Sequence, residues 1–259
     1  MKTLNKSVNQ STQVAFLIIE EMAAVGEPVE LSALARRLGM PKPRVHRFLR
    51  TLLSVGYVLQ DPVSERYRLS LKLFHLGQAV ADQTVLLTEA RPLMVQLRDA
   101  TNQTTTLSII EAVGMRVLDI VRADSPVQIV TRPGALLDFH SSAQGKLALA
   151  FGPADAWNVV HAGPLKQWTP LTNTKLSDLV AQVDGVRAQG WAEAPEETLS
   201  GVNALSAPVF DATKTLAATI TIAGPMAAIP SPPKPEQVKA VRRAAMTISN
   251  NLGYTESAS

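Results

Sequence analysis

Apolar positions recur along this chain at helical spacing, then in alternation, then at helical spacing again. Near the start, Val14, Leu17, Ile18 and Met22 make one stripe of a helix that Ser11 can cap. It runs to about Ala24, and Gly26 and Pro28 close it. Ser32 can cap a second helix, with Ala33, Leu34, Ala35 and Leu38 on a small inner side and Gly39 suited to the left-handed position past its end. Pro41 and Pro43 forbid continuation, and Pro43 fits the first turn of a new helix, where its missing N–H costs nothing. In that third helix Val45, Phe48, Leu49 and Leu52 define a buried stripe. After Gly56, residues 57–60 and 66–70 read as two strands around the turn DPVSE at 61–65. Helical spacing returns over 71–81, at Leu73, Leu76 and Val80, and again over about 86–100, interrupted near its start by Pro92.

From Thr104 the texture changes. Residues 104–110, 116–121 and 127–131 are rich in β-branched types and predict strands. Residues 142–151, 154–161 and 175–189 predict helices, and 203–210 and 215–223 two further strands. The run 225–235 carries five prolines and predicts an irregular connection. A closing helix follows over 236–252, with Val238, Val241, Ala245 and Ile248 inward. This order predicts an α+β chain: an N-terminal winged helix-turn-helix over 10–70, a linker helix over 71–82 and a C-terminal α/β domain over 83–255.

The third helix carries the most specific chemistry. Opposite its apolar stripe lie Arg47, Arg50 and Ser54, flanked by Arg44, His46 and Thr51, with Lys42 at its start. A helix of this kind can lie in the major groove of double-stranded DNA with its N-terminal half toward the base edges. Arg66 and Arg68 alternate with Tyr67 and Leu69, so one side of the hairpin is basic and can reach phosphates. Net charge over the 259 residues is only +3, but residues 1–80 hold 11 Lys/Arg against 6 Asp/Glu, and the remainder 14 against 16. The positive excess lies with the helix-turn-helix, as attraction to phosphate requires.

Composition narrows the alternatives. Hydrophobic content of 46% with 18% charged residues suits a folded core, and the absence of Cys excludes disulfides and Cys-based zinc sites. No secretory signal pattern opens the chain, and no apolar run approaches the ~20 residues of a membrane span, so a cytoplasmic protein with no membrane partner is expected. His46, His75, His140 and His161 have no metal-ligand spacing, and GxSxG, P-loop and GxGxxG motifs are absent. Neither catalysis nor a metal or cofactor is therefore expected. His140 near Ser142 is not triad evidence by itself, and Glu193, Glu196 and Glu197 read as an exposed loop rather than an acid–base set.

The whole pattern resembles the IclR family of bacterial transcription regulators. The likeness rests on LSALARRLGMPKPRVHRFLRTLLSVGYV (31–58), ERYRLS (65–70), HSSAQGKLALA (140–150), GWAEAPEE (190–197), GVNALSAPVFD (201–211) and TITIAGP (219–225), in this order. The resemblance implies a winged helix-turn-helix that binds operator DNA, a linker helix used in dimerisation, and a GAF-like effector domain. It also implies a homodimer or dimer of dimers that answers a small metabolite, often an organic or aromatic carboxylate, as activator or repressor. Two departures stand out. Pro43-Arg44 replaces the Ser-Thr that commonly opens the recognition helix, and Asn203-Ala204 replaces an Arg-Cys or similar pair after Gly-Val.

Carried over by motif, the resemblance places the effector among Ile129, Leu137, Ala143, Gln144, Val202, Ala204, Thr221 and Ala223, with Asn203 as a further polar contact. The residues support an anion independently. A helix opening within 141–145 presents free N–H groups whose dipole favours a carboxylate without any Lys or Arg. The bland alternative is that Ser141 or Ser142 only caps that helix and that Thr221 only packs in a sheet. A ligand-independent DNA-binding or protein-interaction module is the rival function.

Overall fold

Asn9, not Ser11, caps the first helix in the computed structural model. Its Oδ1 accepts from the amides of Ser11 (2.9 Å) and Thr12 (3.3 Å), and α1 runs Gln10–Val25. The structure describes residues 9–82, 85–124 and 131–255, with backbone alone for 78–82. The expected strand at 127–131 therefore lies outside the described residues, as does Ile129, except for Thr131, which is not in a strand. The chain divides between Gln83 and Thr84 into two units.

In the first unit α2 spans Leu31–Arg37 and α3 Lys42–Ser54. Ser32 is not the cap of α2. Val29 and Tyr67 exchange two backbone hydrogen bonds of 2.8 Å, which hold the chain extended to Glu30, so the helix starts one residue before the serine. Strands β1 (Val58–Gln60) and β2 (Tyr67–Leu69) form the wing, and α4 (Leu71–Asp82) follows. Asp61 closes the hairpin turn by accepting from the Ser64 amide, the Ser64 hydroxyl and the Val63 amide, and these donors hold its carboxyl below the usual range. Val14, Ile18 and Met22 of α1 pack with Leu34, Val45, Leu49, Leu52, Val58 and Tyr67 into one core. Leu17, expected in that stripe, is 46% exposed, because the i, i+4, i+8 line of the other three already fills the face.

The second unit is built on a six-stranded antiparallel sheet. Its strands are β3 (Thr104–Glu111), β4 (Gly114–Val121), β5 (Leu136–Leu137), β6 (Ala192–Glu193), β7 (Val202–Phe210) and β8 (Leu216–Pro225), in the order β5-β4-β3-β8-β7-β6. One face packs on α5 (Val85–Thr101) and α9 (Pro235–Asn251). There Leu107, Leu205, Ala207, Val209, Ile220 and Ile222 meet Met94, Leu97, Val241 and Ile248. Pro92 does not interrupt α5. Burial of Ala90, Met94 and Leu97 carries the helix through the proline, since packing rather than propensity holds most helices. The other face packs on α6 (Ala143–Phe151), which in turn packs on α7 (Asp155–His161) and α8 (Leu176–Gln189).

Side chains alternate across a strand, so the residues between the apolar ones face α6. In β3, β8 and β7 these are largely hydroxylic: Thr106, Ser108, Thr219, Thr221 and Ser206, all buried. A polar seam thus runs beneath α6 on an otherwise apolar sheet.

Candidate functional site

The first candidate surface is the outward side of α3. Val45, Leu49 and Leu52 are buried and Phe48 half-buried, which turns Lys42, Arg44, His46, Arg47, Arg50 and Thr51 to solvent. The Arg47 guanidinium lies 5.9 Å from the Phe48 ring centroid, and Thr51 Oγ1 donates to the Arg47 carbonyl at 3.2 Å. Among the described residues no acid pairs with Arg44, Arg47 or Arg50, whereas Arg37 is held by Glu21 and Arg66 by Glu30 at 3.2 Å. Of the two wing arginines, Arg68 is exposed and forms no ion pair among the described residues, while Arg66 is partly neutralised.

The second candidate is a cavity of about 210 Å³ between the sheet and the start of α6. A cavity of roughly 150 Å³ holds benzene, so there is room for one substituted ring or an open chain of similar size. Leu137, Gln144, Val202, Ala204, Thr221 and Ala223 line it, all named from the sequence. Thr106, Thr131, Ala135, Ser142, Ala194, Thr198 and Leu199 complete the wall. Among the described residues no lining residue is formally charged.

Two expected positions fall elsewhere. The Ala143 side chain packs with Leu147, Val186, Ala192 and Ala194. Asn203 is of opposite strand parity to Val202 and Ala204. Its Nδ2 donates to Glu193 Oε2 at 2.9 Å and the Pro230 carbonyl at 3.3 Å, so it ties down the β6 edge instead of facing the cavity.

Ser142 does cap α6. Its Oγ accepts from the Gly145 amide at 3.1 Å and donates to the Asp138 carbonyl at 2.7 Å. The remaining first-turn amides, those of Ala143 and Gln144, have no partner within the helix. With its hydroxyl so engaged, Ser142 has no nucleophile geometry, and the buried His140 places Nε2 2.9 Å from the Lys166 carbonyl. The close seating of α6 also depends on Gly145. A Cβ there would lie 2.5 Å from the carbonyl oxygens of both Asp138 and Phe139. Gly145→Ala is therefore expected to lower the urea midpoint by an amount equivalent to about 1–3 kcal/mol, the usual cost of overpacking. Unchanged unfolding would refute this seating.

Sequence reasoning misplaced the glutamates at 193–197. Glu197 is only 4% exposed and forms a buried ion pair with Lys146 of α6, whose Nζ also donates to the Glu193 carbonyl at 3.2 Å. Burial pushes the Glu197 carboxyl above the ordinary carboxylate range, against the opposing pull of the Lys146 ammonium. Thr169 and Thr172 donate to the carbonyls of Glu196 and Glu197 (both 2.6 Å), and Thr198 Oγ1 to that of Ser141 (2.8 Å). The loop that supplies Ala194, Thr198 and Leu199 to the cavity is thus pinned to α6. One signal was present: GKLALAF is apolar all round, so a lysine within it needs a buried partner.

Comparison with known proteins covers both units. A family model described as "Bacterial transcriptional regulator IclR C-terminal" matches residues 78–250, and one described as "IclR helix-turn-helix domain" matches 11–62. The chain is 31% identical over 236 residues to the HTH-type transcriptional regulator KdgR of Dickeya chrysanthemi, covering 90% of this chain and 77% of that one. It is 31% identical over 246 residues to the Glycerol operon regulatory protein of Streptomyces griseus, covering 94% and 96%. In fold it is similar to an IclR homolog of Microbacterium hydrocarbonoxydans complexed with 4-hydroxybenzoate, with a TM-score of 0.81, 22% identity and coverage of 93% and 98%.

Proposed function

Because the chain belongs to the IclR family of bacterial transcriptional regulators, we propose that it binds operator DNA through α3 and the wing and that a small carboxylate in the cavity of the second unit modulates that binding. It is a regulator, not an enzyme. The observation that carries the DNA assignment is the clustering of cations on one exposed helix face. Arg44, Arg47 and Arg50 lie together on the outward side of α3 with no acid paired to them among the described residues, and so remain available to phosphates and guanine edges, whereas Arg37 and Arg66 are each held by a glutamate. The wing's Arg68 supplies a backbone contact.

A charge-free cavity at the N-terminus of a capped helix supports the carboxylate. Two first-turn amides and the helix dipole offset its charge, and Leu137, Leu199 and Val202 take its apolar body. The protein acts in the cytoplasm as a homodimer or dimer of dimers, each recognition helix reading one half-site. No helix among the described residues is long and apolar enough to cross a membrane. Occupancy changes operator affinity only as far as the ligand prefers one arrangement of the assembly over another.

Mobility shift of DNA flanking its own gene tests this, with the full chain and a panel of carboxylates that begins with 4-hydroxybenzoate, the molecule bound in the Microbacterium homolog. A carboxylate that raises the melting temperature is expected to change the affinity for the retarded fragment. Binding of that carboxylate with no change in DNA affinity would sink the modulation, and failure to retard any fragment would sink the DNA assignment.

A further inference from the structure

Resting on the carboxylate reading, we propose that the effector is a hydroxy acid whose hydroxyl is read by Thr106 and Thr221. Both residues line the cavity, and they are cross-strand neighbours of β3 and β8. Both are nearly fully buried, at 3% and 1% exposure.

The direction of the hydrogen bonds beneath the cavity can be worked out. Ser206 Oγ donates its single proton to the Ile220 carbonyl at 3.1 Å. In the 2.8 Å contact between Ser206 Oγ and Thr221 Oγ1, the proton therefore comes from Thr221. Thr221 Oγ1 keeps its lone pairs and is left as an acceptor. Beside it, Thr106 Oγ1 is buried with no hydrogen-bond partner among the described residues, and offers both a donor and an acceptor. A buried hydroxyl without a partner is costly, so a ligand that completes this pair gains more than one that leaves it dry. An acceptor beside a donor–acceptor suits an alcohol or phenol O–H, which gives its proton to Thr221 and accepts from Thr106. A second carboxylate lacks the proton Thr221 needs, and an alkyl group satisfies neither threonine. With the anion at the α6 amides, the cavity thus distinguishes a hydroxylated carboxylate from its deoxy analogue.

Calorimetric titration of the full chain with matched pairs tests this: 4-hydroxybenzoate against benzoate, 3-hydroxybenzoate against benzoate, 3-hydroxybutyrate against butyrate. At least one hydroxylated member is expected to bind roughly ten-fold more tightly than its partner, the scale of one hydrogen bond to an otherwise unpaired buried group. Thr106→Val and Thr221→Val should erase that difference, and Thr106→Ser should restore it. An unchanged far-ultraviolet circular dichroism spectrum reports that each variant is folded. Equal affinities within every pair, tighter binding of a deoxy acid, or a preference that survives both valines would overturn the assignment, as would failure of every hydroxylated member to bind. The matching alcohols, 4-hydroxybenzyl alcohol and 1,3-butanediol, separate the two readings. If they bind as tightly as the hydroxy acids, the carboxylate reading fails while the hydroxyl assignment stands.

Discussion

Lys146→Met is expected to destabilise the protein by about 3–5 kcal/mol at pH 7, the cost of leaving one partner of a buried ion pair uncompensated. The two side chains are 3% and 5% exposed, so water cannot take the place of the lost ammonium. The pH dependence identifies the cause. Burial already holds the Glu197 carboxyl above its ordinary 4.5 in the presence of Lys146, and removal of the cation raises it further. A carboxyl with a raised folded-state pKa favours folding below its unfolded value, and that contribution is lost as pH rises through the folded value. The variant should thus regain stability as pH falls from 7 toward 4.5, where Glu197 takes a proton and the buried charge disappears. Wild-type protein should show a shallower dependence in the same window. Lys146→Met combined with Glu197→Leu should recover much of the loss at pH 7, since an apolar pair of similar volume often replaces a buried ion pair at little cost. Urea denaturation at both pH values measures all three. Equal midpoints for Lys146→Met and wild type at pH 7 would show that the pair carries no stability.

Why this pair escaped sequence reasoning is physical. Three glutamates within five residues look solvated, and nothing local says that Thr169, Thr172 and α6 close over one of them. Long-range burial is not written in spacing. By contrast α3 and the wing were legible, because a helical stripe, a Gly at φ +62 and paired prolines all act within a few residues of themselves. Caps were misread at Asn9 and Glu30, where the deciding interactions were an Asx-type bond and a backbone bridge to Tyr67. Strands β5 and β6, two residues each, are too short for alternation to show, and exist as edges recruited by β4 and β7. In the cavity, transfer by motif reached the right elements but ignored strand parity at Asn203. The hydroxyl seam was present as the alternation of Thr106, Thr219 and Thr221 with apolar residues, but only the β3–β8 pairing brings those residues side by side.

Arg47→Ala is expected to cost about 1–3 kcal/mol in operator affinity and to relax base preference at the position it reads, if its guanidinium meets a guanine edge. Arg44→Ala should act similarly. Arg44 lies one turn nearer the helix start, and a three-residue step along α3 rises about 4.5 Å, close to the ~3.4 Å spacing of stacked base pairs. The pair can thus read neighbouring steps of one half-site. Arg68→Ala should behave differently. A lost phosphate contact weakens all sequences alike and lowers the slope of log affinity against log salt by about 1. Arg37→Ala is the control, because its guanidinium is already held by Glu21 and its removal exposes no groove-reading group. Filter binding to a half-site library at several salt concentrations separates these outcomes. A library profile unchanged by either α3 substitution would move base readout off this helix. A salt slope unchanged by Arg68→Ala would remove the wing from the phosphate backbone while leaving α3 in the groove.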